Sequence, residues 1–245
     1  MKKLVIGCLL ALPVSTIAQC CSGGVPMSNN IGLPPAEAKT LQVNLTYDWN
    51  NLKTLKSGDR NLEDENRQRE THSFLLETGY TFSKKISVDL FVPFIRQERT
   101  ISTRATPDKQ DTNGIGDVVI LPKYSLSNGW LIGVGVKLST GKANFLSNRA
   151  IALPADLQPG SGATDALFFT SYQRYSEERP SLSYFGNAIF RITGTNTNYF
   201  AGSSYRFGSE LQMALGIADR FFLFGQLIDP SLGISYRKRG TDFFD

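Results

Sequence analysis

The sequence predicts an all-β protein, an antiparallel up-and-down transmembrane β-barrel of about ten strands. Three observations carry this. From residue 40 onward, runs of about ten residues alternate apolar with polar side chains, the period-two signature of strands with one dry and one wet face. The segments between these runs alternate long with short: 50–71, 97–113, 141–164 and 194–204 against 83–85, 127–129, 176–180 and 218–220. Barrels with short periplasmic turns and long external loops sort their connections this way, whereas a sandwich has no reason to. Finally, no segment approaches the ~20 apolar residues of a spanning helix, so only strands could cross a bilayer.

Composition bounds the class. With 41% hydrophobic and 20% charged residues among 245, the chain has enough apolar surface to fold, which excludes a disordered protein. A barrel alternates apolar with polar, so the average does not separate it from a soluble β protein. The net charge of +4 includes Lys2 and Lys3 of a leader, and no RNA- or DNA-binding signature appears; no nucleic-acid partner is expected.

Residues 1–18 read as a secretory signal: Met1-Lys2-Lys3 is basic, Leu4 to Val14 is apolar, and Thr16-Ile17-Ala18 supplies small residues before a cut at Gln19. Residues 19–39 then form a periplasmic tail and 40–245 the barrel. Cys20 and Cys21 are adjacent in the tail. Gln19 argues against lipoprotein processing, and with His72 the single histidine, the cysteines make a poor metal site. Their expected fate is oxidation in the periplasm. Neither a metal nor a cofactor is expected.

The strands follow in order. Leu41, Val43, Leu45, Tyr47 and Trp49 share one face of the first, with Gln42, Asn44, Thr46 and Asp48 opposite. His72 to Phe82 sets Phe74, Leu76, Tyr80 and Phe82 against Ser73, Glu77, Gly79 and Thr81, with Leu75 an exception. Ile86 to Phe94 places Ile86, Val88, Leu90, Val92 and Phe94 on one side. Ile115 to Leu126 is the fourth run, Asn128-Gly129 a tight turn, and Trp130 to Ser139 the fifth. Ala166 to Tyr175, Leu182 to Thr193, Tyr205 to Ile217 and Phe221 onward complete the series.

The end of the sequence leaves two readings. Phe221 to Asp229 and Leu232 to Arg237 form a final hairpin that closes ten strands, or 221–237 is one bulged strand of a chain cut short from about twelve, an even count. The polar ending after Arg237 favours the second.

Thr112-Asn-Gly-Ile-Gly-Asp117-Val-Val-Ile-Leu-Pro-Lys-Tyr124, with Gly114-Ile-Gly-Asp117 opening a strand, and the loop Leu157-Gln-Pro-Gly-Ser-Gly162 are similar to an outer-membrane barrel family associated with the meta-pathway of phenol degradation and with transport. The resemblance covers residue 40 to the end. It implies a barrel distantly similar to long-chain fatty-acid transporters, taking up apolar or aromatic solutes, and it brings no catalytic residues. The early ending departs from the family's usual length.

With the apolar face turned to lipid, the lumen would hold Glu77, Asp89, Asp117, Lys123, Lys137, Arg191, Arg206 and Glu210. Such charges either line a solute path or pair to brace a narrow barrel. Leu75, Phe91, Ile95, Val119, Leu121, Phe185 and Ile189 share that face, which suits a solute with an apolar body. Phe145, Leu146, Ile151, Leu153 and Leu157 make the third long connection unusually apolar, as a gate at the mouth or as packing against other loops. The charged stretch 50–71 reads as a solvated loop. Pro159-Gly160-Ser161-Gly162 lacks the Gly-Lys-Ser/Thr ending of a phosphate loop. His72 and Ser73 are adjacent in a strand and point to opposite faces, so they cannot form a nucleophile–base pair, and no enzyme is expected. The expected partners are outer-membrane lipid and a small apolar or aromatic solute. The expected role is a passive outer-membrane channel; the alternative is a closed structural or adhesion-type barrel acting through its external loops.

Overall fold

The computed structural model describes residues 36–53, 55–57, 60–62, 67–102, 107–147 and 151–245. The leader expected over 1–18, Cys20 and Cys21, and Asp59, Glu63, Asp64 and Glu65 of the charged stretch lie outside them.

Ten strands form the main sheet: β1 (Thr40–Leu52), β2 (Arg67–Thr81), β3 (Ile86–Ser102), β4 (Pro107–Ile115), β5 (Val119–Ser125), β6 (Trp130–Lys137), β7 (Asp165–Tyr175), β8 (Ser183–Ile192), β9 (Glu210–Ala218) and β10 (Ser231–Arg239). Every pairing is antiparallel. The order is β1-β2-β3-β5-β6-β7-β8-β9-β10, with β4 on the far half of β3. Sequence neighbours are therefore spatial neighbours, the up-and-down arrangement. The sheet curls into a half-barrel, and β1 and β10 do not pair with each other among the described residues.

The period-two pattern decides which face turns inward. In β2 the odd residues from Arg69 to Thr81 are buried, while Phe74, Leu76 and Tyr80 are exposed. In β3, Ser87, Asp89, Phe91 and Gln97 are buried while Ile86, Leu90 and Phe94 are exposed. The apolar row points out and the polar row points in, the reverse of a water-soluble core, which is what lipid outside and a narrow interior demand. The inward side is not uniformly polar: Leu75, Phe91, Val119, Leu121, Leu131, Leu167, Phe169 and Ile189 form one buried cluster.

The turns follow local chemistry. Asn128 and Gly129 both take positive φ, 65° and 83°, as a tight hairpin of right-twisted strands requires. At the β2–β3 turn the Ser83 hydroxyl accepts from the Lys85 and Ile86 amides.

Three expectations change. Residues 97–113 are not a loop: β3 runs to Ser102 and β4 begins at Pro107, so this connection is a projecting ladder with only 103–106 left between its strands. Its strands are almost wholly polar, Gln97-Glu98-Arg99-Thr100 against Lys109-Gln110-Asp111-Thr112, so the β pairing outlasts the apolar band. Phe221 to Asp229 is not a sheet strand either. Residues 221–223 pair with 226–228 in a small hairpin of its own, closed by the Arg220–Asp229 ion pair at 2.6 Å and the Asp219 amide on the Pro230 carbonyl at 3.0 Å. Only Ser231–Arg239 enters the main sheet. The short 218–220 connection is accordingly a longer excursion that exposes Phe222 and Phe224.

Candidate functional site

Seven of the eight candidate lumen residues are buried on the concave face: Glu77, Asp89, Asp117, Lys123, Lys137, Arg191 and Glu210. Arg206 is exposed instead, with its guanidinium 5.7 Å from the Phe243 ring. The run expected over Tyr205 to Ile217 breaks at Phe207–Ser209, and Arg206 belongs to a separate strand, 203–206, that pairs with 196–200 and with 243–244.

The buried charges fall into two groups. Toward the long connections, Lys137 bonds Asp117 at 2.5 Å and Asp165 at 3.2 Å. Arg191 lies 3.9 Å from Asp165 and 2.9 Å from Glu210, and Arg237 closes the row on Glu210. Strand register builds this belt: Lys137 stands opposite Asp165, and Arg191 opposite Glu210. Three carboxylates meet three cations, so the belt is balanced. Toward the short turns, Lys123 pairs with Asp89 at 2.6 Å, and Glu77 is a cross-strand diagonal away from Asp89. Two carboxylates there face one ammonium. Glu77 Oε2 accepts from Asn44 at 3.4 Å, while its buried Oε1 has no hydrogen-bond partner among the described residues. The apolar cluster fills the space between belt and trio.

The third long connection is fastened to the belt. Asp117 Oδ2 accepts from both the amide and the hydroxyl of Ser161, at 2.9 and 2.6 Å, and its Oδ1 accepts from the Gly141 amide at 3.0 Å. Lys137 Nζ donates to Ser161 Oγ and, at 2.9 Å, to the Ala163 carbonyl. Beside these bonds three backbones cross. A Cβ on Gly141 would stand 2.6 Å from Gly160 Cα and 2.8 Å from Gly116 C, so only glycines let the segments meet. The two stretches that carry the family resemblance, around Gly114–Asp117 and Leu157–Gly162, are thus halves of one contact.

Farther along, Arg69 bonds the Asp156 carboxylate at 2.6 Å, Thr112 donates to the Leu157 carbonyl at 2.6 Å, and Tyr199 donates to the Leu153 carbonyl at 2.9 Å. Gln158 spends its whole amide on this segment, accepting from the Phe145 amide and donating to the carbonyls of Phe145 and Leu153.

The gate-loop candidates therefore separate. Leu153 and Leu157 are buried, Phe145 is half-buried beneath the Lys142 ammonium, and Leu146 and Ile151 are exposed. Residues 153–163 are an anchored strap, and Leu146 and Ile151 stand exposed beside it.

Several participants lay outside the sequence reading. Asp165 sits one residue before the run expected from Ala166, on the row of Leu167 and Phe169, and extending that run would have found it. Arg237 shares the inward row of Ser231, Gly233 and Ser235. Ser161, Asp156 and Gln158 are loop residues with no periodicity to mark them.

On the outer side, Tyr47 bonds His72 Nδ1 at 2.7 Å, and Trp49 donates to Glu70 at 2.8 Å, an aromatic rim at the long-connection end. Ser73 is buried on the opposite face from His72. Among the described residues no group of His, Cys, Asp and Glu is arranged to hold a metal ion.

No family model and no curated protein matches the chain. The likeness to the meta-pathway family therefore rests on the residues quoted for it. Among solved structures, the fold is similar to an outer-membrane channel from Pseudomonas putida F1, with a TM-score of 0.57, 16% sequence identity, and 87% of this chain and 76% of that chain covered. Inverted burial, neighbour-to-neighbour antiparallel pairing and this structural likeness together give the chain an outer-membrane β-barrel fold.

Proposed function

We propose that the protein is an outer-membrane channel that passes small apolar or aromatic solutes by passive diffusion, its mouth narrowed by the connection of residues 141–164. The observation that supports this most is the concave face itself. A balanced belt of ions lies at the mouth, an apolar cluster behind it, and a connection held across it by the Asp117–Ser161 and Lys137–Ser161 bonds. The similarity to a channel from P. putida F1 favours the same reading. Outer-membrane location and export through a cleaved leader belong to this proposal.

Mechanistically, the apolar cluster gives an aromatic ring a dry surface to slide along, and the belt supplies fixed dipoles for a polar substituent without a net charge to trap it. A second reading, a closed barrel acting through its loops, is favoured by the complete burial of Asp89, Asp117, Leu121 and Lys137.

Solute flux into liposomes carrying the full-length protein separates the two. An aromatic acid should enter faster than a sugar of similar size, and deletion of 143–157 should raise both rates. No flux of either solute, before or after the deletion, favours the closed barrel.

A further inference from the structure

The outward face of β6 to β9 carries a furrow, and register explains it. The outward row of β8 reads Tyr184, Gly186, Ala188, Phe190, Ile192, with two small residues in a row otherwise bulky. Gly186 stands between Tyr172 of β7 and Leu215 of β9, and Ala188 between Thr170 and Met213. Trp130 of β6 faces Tyr172, their ring centroids 4.8 Å apart, and raises one wall. Met213 and Leu215 make the other, and Tyr184 closes the end nearest the short turn. The furrow encloses about 350 Å³, and its lining is almost wholly apolar.

We propose that this furrow binds one acyl chain of a bilayer phospholipid, with Arg174 placed to meet the phosphate. The inference rests on the membrane reading above. The furrow is continuous with the exposed apolar rows that the barrel turns to lipid, so hydrocarbon is the medium it opens to. An apolar recess gives a chain more contact than the flat wall beside it. Arg174 supplies the charge complement. It follows Tyr172 on the same outward row, one step closer to the short turn, where Trp130 and Tyr184 mark headgroup height. Its side chain is 60% exposed and its ion pair with Glu177, at 2.6 Å, is a surface pair of little energy that a phosphate can replace.

The two tryptophans, Trp49 and Trp130, make the test. Full-length Trp49→Phe and Trp130→Phe proteins are reconstituted in phosphatidylcholine vesicles containing increasing fractions of phosphatidylglycerol with brominated acyl chains, and fluorescence quenching is followed. Trp130 alone should be quenched about threefold more steeply than random mixing gives, as a saturable site requires, while Trp49 alone follows the mole fraction. Ala188→Leu or Thr170→Leu, each filling the furrow, should return Trp130 to random mixing, and Arg174→Gln should shift its curve to higher lipid fractions. Quenching of both tryptophans in proportion to mole fraction overturns the site and leaves the membrane reading standing. Quenching of neither overturns both.

Discussion

At the scale of single residues, buried charge decides most of what can be expected. Asp117 joins strap, belt and backbone crossing through four bonds, to Gly141, Ser161 (amide and hydroxyl) and Lys137. Asp117→Asn leaves Lys137 short of one counter-charge and should cost about 3 kcal/mol, read as a lower urea midpoint in lipid vesicles, with faster solute flux from the loosened strap. An unchanged midpoint would show that the belt holds without it. Glu77 presents the opposite case. Its buried Oε1 lacks a hydrogen-bond partner among the described residues and its trio carries one carboxylate too many. Glu77→Gln should therefore stabilise the barrel by about 1 kcal/mol in the same measurement; a destabilised variant rejects this account.

Tyr205, in the small sheet at the long-connection end, is pushed up from the usual tyrosine range by burial and by its 2.5 Å bond to the Asp242 carboxylate. Both favour the protonated phenol, so the stability of this contact is fully present below about pH 10 and disappears only as pH rises through the raised value. An alkaline absorbance titration should show a late-ionising phenol that is missing in Tyr205→Phe.

At the scale of elements, the strap behaves as a fastened segment rather than a free loop. Gly160→Ala would drive a Cβ into the Gly141 backbone, where no flexible side chain can yield. The expected cost is about 2 kcal/mol, with the Asp117–Ser161 contact lengthened. Gln158→Ala should leave the Asp117–Ser161 bonds in place and release Phe145 and Leu153 from their shared amide. Flux should then rise while stability falls by about 1 kcal/mol, read from the urea midpoint, and a loss as large as that of Asp117→Asn would show that the two sets of bonds are not separable. Strand elements are more robust. In β2 and β3, fifteen consecutive residue pairs share one register, and a slip by one would turn the inward row of one strand, with Glu77 or Asp89, to lipid.

At the scale of the molecule, the sheet is one wall with two kinds of surface. Outside, Leu41, Val43, Leu45, Phe74, Leu76, Ile132, Val134 and Leu215 form an apolar band that water would not tolerate. Inside, ions and a compact apolar cluster share the concave face. The apolar band predicts that detergent or lipid is required for the chain to remain dispersed, which light scattering on detergent removal checks.

The strands and their inward rows were legible because period two is a local property: Ser73, Glu77 and Thr81 share a face whatever they later touch. The short connections at 83–85 and 127–129, the latter with its Asn128-Gly129 turn, were legible for the same reason, whereas the one expected at 218–220 was not. Other features were not local. Arg206 followed the parity of an unbroken run, and Phe207–Ser209 interrupts that run because Phe207 is buried and Gly208 lies against the Gly240 backbone. The ladder beyond Gln97 and the hairpin at 221–228 carry too little apolar alternation to show their pairing. By itself, the sequence determined the fold class, the faces of the strands and, Arg206 apart, the charged residues that turn inward. Tertiary structure alone decided which charges meet, that the Gly114–Asp117 and Leu157–Gly162 segments form one clasp, and where small residues open a furrow. Ion pairs and backbone crossings join residues on different strands, and their distances are set by register and curl rather than by spacing along the chain.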